Sequence, residues 1–220
     1  LSGDTMFVHS CQLMMQTSSE LQAEVLADFF KTAIEVCEGQ QLDMNFENQP
    51  HVSIADYIEM IRLKTAVLLG CSLRIGARLA GASALDADRL YHFGTDLGIA
   101  FQLHDDLLDA YGDPEKFGKQ VGGDIIANKK TFLMLSAIES ADMYTLDELN
   151  DWLRRKDFNA VEKVDAVKRI FEKLDIRSRT QQEIDRYFDR ALSALSAIPV
   201  ADNRKVALRT LSEQLMVREH

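Results

Sequence analysis

The stretch from 101 to 109 carries carboxylates at helical spacing on an otherwise apolar segment. Gln102, Asp105, Asp106 and Asp109 lie at positions i, i+3, i+4 and i+7, and residues at this spacing share one face of an α-helix. Apolar residues occupy most of the other positions of the segment. The sequence therefore predicts a narrow acidic stripe on a mostly buried helix, and such a stripe indicates a polar cavity inside a helical protein.

The stripe offers a cation oxygen ligands only. All three carboxylates are aspartates and no cysteine lies nearby, so a hard ion such as Mg²⁺, or Mn²⁺ in its place, suits them. Like charges four positions apart, as at Asp105 and Asp109, weaken a helix by about 0.2–0.5 kcal/mol, and a bridging cation would reverse that effect. A solvated acidic surface is the alternative. It fits less well because the segment from 93 to 108 is too apolar to have one broad wet side.

Composition narrows the class of protein. The 220 residues suit one domain, 1–220, with a sizeable core, and 46% apolar residues with only 3 prolines fit a helical protein. The net charge of -10 argues against a nucleic-acid partner. The 3 cysteines show no Cys-x-x-Cys spacing, which favours reduced thiols and a cytoplasmic location. The longest apolar run, 66–71, is too short to span a membrane.

Apolar periodicity and capping signals predict helices throughout the chain and no strand. Helices are expected at about 3–15, 20–44, 53–80 and 86–111, followed by a loop rich in glycine and lysine and by further amphipathic helices broken near Asn159, Asp175 and Pro199. Ser53-x-x-Asp56 and Thr145-x-x-Glu148 have the spacing of capping boxes. Short connections favour antiparallel neighbours in a bundle.

Four groups of residues along the chain occur in a recognisable order. They are Ser2-Gly3-Asp4, Gly39-Gln40-x-x-Asp43, Lys64-Thr65, and the acidic stripe followed by Gly112-Asp113, Gly118-Lys119, Gly122, Asp124 and Asn128-Lys129-x-Thr131. In this order they resemble the trans-isoprenyl diphosphate synthases, or polyprenyl synthetases, and the stripe resembles the second aspartate-rich region of that family. A lone Asp-Asp-x-x-Asp motif is weak, but four elements in the right order across the whole chain are specific.

The resemblance implies an all-α fold of the isoprenoid-synthase type, an antiparallel helical bundle around a central cavity. It also implies a homodimer. The apolar helices between 6 and 46 would suit its interface, but they would suit the core of one subunit equally well. The family carries a first Asp-Asp-x-x-Asp motif upstream of its Ser-Gly-Asp element, and no second such motif occurs in the 220 residues. We therefore expect a bundle whose N-terminal helices are missing, and we expect this fragment alone to be inactive.

The reaction that the resemblance implies is chain elongation. An allylic diphosphate (dimethylallyl, geranyl or farnesyl) condenses with isopentenyl diphosphate to give a longer trans-prenyl diphosphate and free diphosphate. Magnesium would neutralise the leaving diphosphate. We expect Asp105 to be the main ligand, with Asp109 next and Asp106 directed partly toward water or a lysine. Gln102, one turn earlier, is expected near the reacting end of the substrate.

Basic residues are expected to hold the diphosphates. Lys119 and Lys129 would supply positive charge from the loop, whereas Lys130 is expected to be a solvated neighbour. Lys64 and Thr65 lie in mid-helix among apolar residues, where an ammonium needs an anion or a path to water, and the resemblance makes the substrate diphosphate that anion.

The residues Gln40 and Asp43 are one turn apart and are expected to face the cavity as substrate-binding residues. A polar helix end before a loop would explain this pair nearly as well.

Three other functions fit parts of the pattern. A non-catalytic subunit of a heteromeric prenyltransferase would tend to lose its aspartates, whereas here they are intact. A class I terpene cyclase of similar fold would not be expected to carry the Gly-Lys loop and the Lys-Thr pair. His104 beside the aspartates invites a His-Asp metal hydrolase, but the remaining histidines have no supporting spacing.

Overall fold

The computed structural model describes residues 1–112 and 121–217, and within these ranges the regular structure is helical, without a β-strand. The helices are α1 (Ser2–Met14), α2 (Gln22–Asn48), α3 (Ile54–Ile61), α4 (Val67–Leu79), α5 (Ala84–Tyr111), α6 (Gly123–Ile126), α7 (Phe132–Ser140), α8 (Met143–Arg154), α9 (Ala160–Lys173), α10 (Ile176–Ser196) and α11 (Val206–Met216). In this part of the chain, no helix has both the length and the hydrophobicity that crossing a bilayer requires. The all-α prediction is confirmed.

Helix α5 packs mainly against α4 and α10 and joins two hydrophobic clusters. Leu103 belongs to a cluster with Leu133 of α7 and Phe171 of α9. Phe93, almost three turns earlier, belongs to a second cluster with Leu195 of α10. Because α5 buries apolar side chains on several sides, the acidic residues near its C-terminal end, Asp105, Asp106 and Asp109, are confined to a narrow stripe.

A π-helical turn, Arg62–Ala66, joins α3 to α4, and two glycines allow neighbouring helices to approach it closely. A Cβ on Gly39 of α2 would lie 2.3 Å from the backbone nitrogen of Lys64. A Cβ on Gly98 of α5 would lie 2.7 Å from the Cα of Ala66. In proteins, a Cβ atom essentially never lies closer than 3.0 Å to a heavy atom from another part of the structure. The two glycines therefore let the turn that carries Lys64 fit between α2 and α5.

Of the two predicted capping boxes, one is confirmed and one is wrong. The Ser53 hydroxyl accepts a hydrogen bond from the Asp56 amide, and the Asp56 carboxylate accepts one from the Ser53 amide. The N-cap of α8 is Asp142 rather than Thr145, and the Asp142 carboxylate accepts a hydrogen bond from the Thr145 amide at 2.8 Å. Thr145 is buried, and its hydroxyl accepts a hydrogen bond from Lys173 at 2.7 Å.

The other predicted boundaries agree with the structure within a few residues. Helix α2 ends at Asn48 instead of near residue 44, and the predicted break at Asn159 is the N-cap of α9. The helix predicted from 53 to 80 is present, but the π-helical turn divides it. This turn lies within a continuous apolar pattern, which explains why the sequence does not reveal it.

Candidate active site

A cavity of about 870 Å³ opens between α2, α3, the π-helical turn, α5 and the segment from 123 to 131. Most of the residues that the sequence singled out line it. They are Asp43, Lys64, Thr65, Gln102, Asp105, Asp106, Asp109 and Lys129, and they are joined by Tyr57, Asp124 and Lys130. The cavity thus brings together carboxylates and ammonium groups from four separate parts of the chain.

The three aspartates of the stripe differ in their access to solvent. Asp105 is exposed and Asp109 is half-buried, whereas Asp106 is only 6% exposed. The Tyr57 hydroxyl and the Gln102 side-chain amide donate hydrogen bonds to separate oxygens of the Asp106 carboxylate, the second at 3.4 Å. The expectation that Asp106 is directed toward water or a lysine is therefore wrong.

Asp106 and Tyr57 share a polar contact inside the core. Burial raises the pKa of Asp106 to about 7, and the charge of Asp124 adds to that rise, while the hydrogen bond from Tyr57 opposes it. Burial and the charge of Asp106 also raise the pKa of Tyr57. The neutral phenol therefore remains a hydrogen-bond donor to Asp106 at ordinary pH.

Gln102 extends this polar contact toward the π-helical turn. Its side-chain oxygen accepts a hydrogen bond from the Thr65 hydroxyl at 3.4 Å, while its nitrogen donates to Asp106. The neighbouring Lys64 ammonium lies 2.6 Å from the carboxylate of Asp43 on α2. The side chains of Lys64 and Asp43 are each more than a third exposed, and such ion pairs contribute little to stability. Lys64 can therefore leave Asp43 and bind an incoming anion at little cost in free energy.

Asp109 is held by the first turn of α6. The backbone amide of Asp124 donates a hydrogen bond to the Asp109 carboxylate at 2.9 Å. The pKa of Asp109 is raised above its ordinary value, mainly by burial and also by the nearby charge of Asp124. The hydrogen bond from the Asp124 amide opposes this rise.

The Asp124 carboxylate lies 2.5 Å from the ammonium of Lys129. The hydrogen bond between them raises the pKa of Lys129. Lys129 is 63% exposed at the side chain and is therefore accessible from the cavity.

Lys130 is not the solvated neighbour that the sequence suggests. Its ammonium donates hydrogen bonds to the carbonyl oxygens of Phe46 and Gln49, at the C-terminal end of α2. A cation at this end of a helix is stabilised by the unpaired carbonyl groups and by the helix dipole. Burial lowers the pKa of Lys130. Lys130 thus fastens the segment after α6 to α2.

Two sequence candidates lie outside the cavity lining, and a third falls outside the residues that the structure describes. Gln40 is exposed on α2 and is not among the residues that line the cavity. His104 is half-buried on α5, also outside the set of cavity-lining residues. Lys119, which the sequence assigns to diphosphate binding, lies outside the described residues.

The carboxylates suit a hard cation that shares its coordination with substrate. Among the residues that the structure describes, no three His, Cys, Asp or Glu side chains are arranged to hold a metal ion by themselves. Magnesium is usually bound by one or two carboxylates, substrate phosphates and several waters. Asp105, Asp109 and Asp124 line one cavity, and this set of oxygen donors fits such a shared ion.

Sequence reasoning overlooked Tyr57 and the partners of two lysines. Tyr57 and Asp106 are 49 residues apart in the chain, and Lys130 and Phe46 are 84 apart. No local pattern marks such pairs, since each depends on how the helices pack. Asp124 was visible as part of a motif, but its ion pair with Lys129 depends on the turn after α6.

Comparisons with known proteins agree with this geometry. The family model for polyprenyl synthetase matches residues 1–173. The short chain isoprenyl diphosphate synthase of Methanothermobacter thermautotrophicus is 33% identical over 221 residues, covering 100% of this chain and 67% of the relative. A crystal structure of geranylgeranyl pyrophosphate synthase has 40% identity and a TM-score of 0.93, covering 100% of this chain and 68% of that one.

A third relative was solved with ligands. It is the geranylgeranyl pyrophosphate synthase from Corynebacterium glutamicum complexed with isoprenyl diphosphate and magnesium, with 28% identity and a TM-score of 0.86. The match covers 98% of this chain and 62% of that one. The chain thus spans about two thirds of the length of each of these three relatives, with shares between 62% and 68%.

The family match and the structural matches confirm two predictions from the sequence. The fold is the helical bundle of the isoprenyl diphosphate synthases, and the family places the chain among the prenyltransferases. The acidic stripe, the Lys-Thr pair and the Asn-Lys-x-Thr segment, which carried the resemblance, meet at one cavity. This chain belongs to the polyprenyl synthetase family.

Proposed function

We propose that the protein is a magnesium-dependent, chain-elongating prenyltransferase. It would condense an allylic diphosphate with isopentenyl diphosphate to give a longer trans-prenyl diphosphate and diphosphate. One observation carries the proposal: Asp105 and Asp109 lie on the same 870 Å³ cavity as Lys64 and Lys129. Carboxylates for a cation and ammonium groups for phosphate oxygens are the two requirements for ionising a diphosphate ester.

The residues around the cavity would share the work of binding and ionising the allylic substrate. Lys64 and Lys129 would give up their present ion pairs, with Asp43 and Asp124, to bind diphosphate oxygens. The carbon–oxygen bond would then break, with the electron pair leaving on the diphosphate. Gln102, held between Thr65 and Asp106, would face the allylic carbon.

Carbon–carbon bond formation would complete the reaction. The double bond of isopentenyl diphosphate would attack the allylic cation, and the loss of one proton, taken up by the released diphosphate, would form the new double bond. Apolar side chains of the cavity wall, such as Met60 and Ile61, would keep water from the cation.

Magnesium, when bound, would neutralise charge on the leaving diphosphate. Asp105 and Asp109 would be its direct ligands. Asp106 would complete the set through lone pairs that the hydrogen bonds from Tyr57 and Gln102 leave unused. In support, a relative of this chain was crystallised with isoprenyl diphosphate and magnesium.

The remaining expectations from the sequence are also part of the proposal. Lys119 would bind diphosphate. Gln40 would contact substrate only after a change in side-chain conformation, since it is exposed outside the cavity lining. We infer a geranylgeranyl-length product from the names of two similar structures. We also propose a cytoplasmic homodimer.

The test is an isopentenyl-transfer assay on the full-length gene product that contains these 220 residues. Labelled isopentenyl diphosphate would be incubated with dimethylallyl, geranyl or farnesyl diphosphate and magnesium, and the products would be separated by chain length. A labelled prenyl diphosphate is the expected result. A folded protein that incorporates no label would refute the proposal and favour a non-catalytic subunit of a heteromeric enzyme.

The same assay on residues 1–220 tests the expectation that this part alone is inactive. These residues contain one Asp-Asp-x-x-Asp motif, whereas the family uses two. We therefore expect no incorporation by the 220-residue protein. Turnover comparable to that of the full-length product would show that one acidic motif is sufficient.

A further inference from the structure

Lys163 of α9 is a fully buried lysine whose ammonium is directed at the segment that carries Lys129. Its side chain is 0% exposed. The ammonium donates hydrogen bonds to the side-chain oxygen of Asn128 at 2.6 Å and to the carbonyl of Ile126 at 3.2 Å, and it lies 4.3 Å from the ring centroid of Phe158. Burying an ammonium is costly unless such partners replace water. The Lys163 ammonium is therefore bound to the C-terminal end of α6 and to the segment that follows it.

Asn128 is the residue at which this segment reverses direction. Its φ is 54°, in the left-handed region that residues other than glycine adopt only at a cost. Both polar atoms of its side-chain amide are hydrogen-bonded. The oxygen accepts a hydrogen bond from Lys163, and the nitrogen donates one to the carbonyl of Leu153 at 3.0 Å. Helices α8 and α9 thus fix the conformation of Asn128 together.

The reversal at Asn128 determines where Lys129 points. The Lys129 amide donates to the Asp124 carbonyl at 2.9 Å, and the Lys129 ammonium lies 2.5 Å from the Asp124 carboxylate. Both contacts require the chain to turn back on α6 at Asn128. Lys130 fastens the other side of the segment to α2.

We propose that Lys163 is a positioning residue, which holds Asn128 in the left-handed conformation and so directs Lys129 into the cavity. The proposal rests on the proposed function for the role of Lys129 in binding diphosphate. Lys163 does not line the cavity, so it acts through Asn128 rather than on the substrate.

The first experiment compares Lys163→Met with Lys173→Met in the full-length protein. Methionine keeps an unbranched apolar chain but removes the ammonium. Lys173 lies on the same helix and donates a hydrogen bond to Thr145, away from Asn128. For Lys163→Met we expect the KM for the allylic diphosphate to rise about tenfold, equivalent to about 1.4 kcal/mol, with a smaller change in kcat. An equal rise in Lys173→Met, or none in Lys163→Met, would overturn the proposal.

A second readout does not depend on activity. Hydrogen exchange of the backbone amides of 126–129, measured without substrate, should be about tenfold faster in Lys163→Met than in the wild type or in Lys173→Met. Unchanged exchange would overturn the positioning role even if the enzyme were active. If the wild type showed no transferase activity, the proposed function would fail while exchange still tested the role of Lys163.

Glycine at Asn128 provides the sharpest control, since it adopts positive φ without a Cβ penalty. In the double variant Lys163→Met/Asn128→Gly, the KM for the allylic diphosphate should fall most of the way back to the wild-type value. No recovery would show that Lys163 acts by another route. If Lys163→Met did not fold, Asn128→Ala and Asn128→Gly would be compared instead. The alanine variant should have the higher KM by about tenfold, and equal values would contradict the proposal.

Discussion

Asp106 has a different environment from the other two aspartates of its motif, although all three belong to one helical stripe. Asp105 is exposed, whereas Asp106 is enclosed and accepts hydrogen bonds from Tyr57 and Gln102. We infer that the three aspartates differ in role. Asp105 and Asp109 would be the direct ligands of the cation, whereas Asp106 orients Tyr57 and Gln102 and would complete the ligand set only through its remaining lone pairs. The spacing of the motif alone does not reveal this difference.

Replacing Tyr57 by phenylalanine tests the buried contact. The variant leaves the Asp106 carboxyl without its closest donor inside the core, and we expect the free energy of unfolding to fall by about 1–3 kcal/mol. Denaturant unfolding monitored by circular dichroism measures this change. Tyr144→Phe is the matched control because Tyr144 is 79% exposed. Equal stability of both variants would show that the contact between Tyr57 and Asp106 contributes nothing.

Replacing Lys64 by glutamine tests diphosphate binding from the π-helical turn. The change removes the charge that now pairs with Asp43, and we expect the KM for the diphosphate substrates to rise roughly tenfold or more, because a charged hydrogen bond is lost. Steady-state kinetics of the full-length protein measure this. Lys31→Gln is the control, since Lys31 is 68% exposed on α2. Unaltered KM values would remove Lys64 from the binding site.

At this scale the sequence predicts the members of the stripe but not their contacts. Helical periodicity is a local property, so Gln102 and the aspartates could be assigned to one face. The contacts of Lys130 with the end of α2 arise from packing between distant parts of the chain, and no local pattern encodes them.

At the scale of elements, the site depends on how closely α2 and α5 approach the π-helical turn. Gly39 and Gly98 make these approaches, and the turn places Lys64 beside Asp43 and Thr65 beside Gln102. Of these glycines, the sequence marked only Gly39, as part of a family motif. The physical reason for this glycine is that the backbone of Lys64 occupies the space a Cβ would need, and only the packed helices reveal it.

Gly39→Ala should displace α2 from the turn. Its Cβ would overlap backbone atoms of Leu63 and Lys64, which cannot move aside as a side chain could. We expect a loss of about 1–3 kcal/mol in the free energy of unfolding, together with a higher KM. Gly76→Ala in α4 is the control, because nothing lies within 4 Å of its Cβ, and it should raise helix stability by up to about 1 kcal/mol. Thermal unfolding of both variants decides the matter, and a stabilised Gly39→Ala would contradict the account.

Element types and most boundaries could be predicted because apolar periodicity and N-caps are local. The error at Thr145 has a physical cause: two polar residues, three positions apart, could each cap a helix there, and the one that does so is Asp142. Thr145 is instead buried against Lys173 of α9. Tertiary packing therefore decided between the two signals.

At the scale of the whole molecule, α1 and α2 present apolar side chains to solvent. Phe7 is 46% exposed, Phe30 44% and Ile34 60%, and they line a second, almost wholly apolar groove of about 650 Å³. Such a surface is typical of an interface. The groove supports the proposed homodimer.

Ile34→Glu tests that interface. A charge in an apolar contact between two copies should weaken association, so we expect the sedimentation coefficient of the full-length protein to change from that of a dimer to that of a monomer. Leu211→Glu is the control, since Leu211 is 49% exposed on α11, away from the groove. A dimer that persists in Ile34→Glu would contradict an interface through α2.

The order of motifs was sufficient to predict the fold and the meeting of most site residues. It could do so because a family resemblance carries the packing of the whole bundle, which helical periodicity does not. The motifs do not give the exposure of Gln40 or the contacts of Lys130 and Lys163, and only the packed helices reveal them.

The most direct test of the central claim measures isopentenyl transfer by Asp105→Asn as a function of magnesium concentration. The substitution keeps the size of the side chain but removes the charge that would bind the cation. We expect kcat to fall by roughly 10²–10³-fold, with half-saturation at higher magnesium. Asp151→Asn, at an exposed position of α8, should behave like the wild type. If Asp105→Asn kept wild-type turnover at every magnesium concentration, the acidic stripe would not be the metal site.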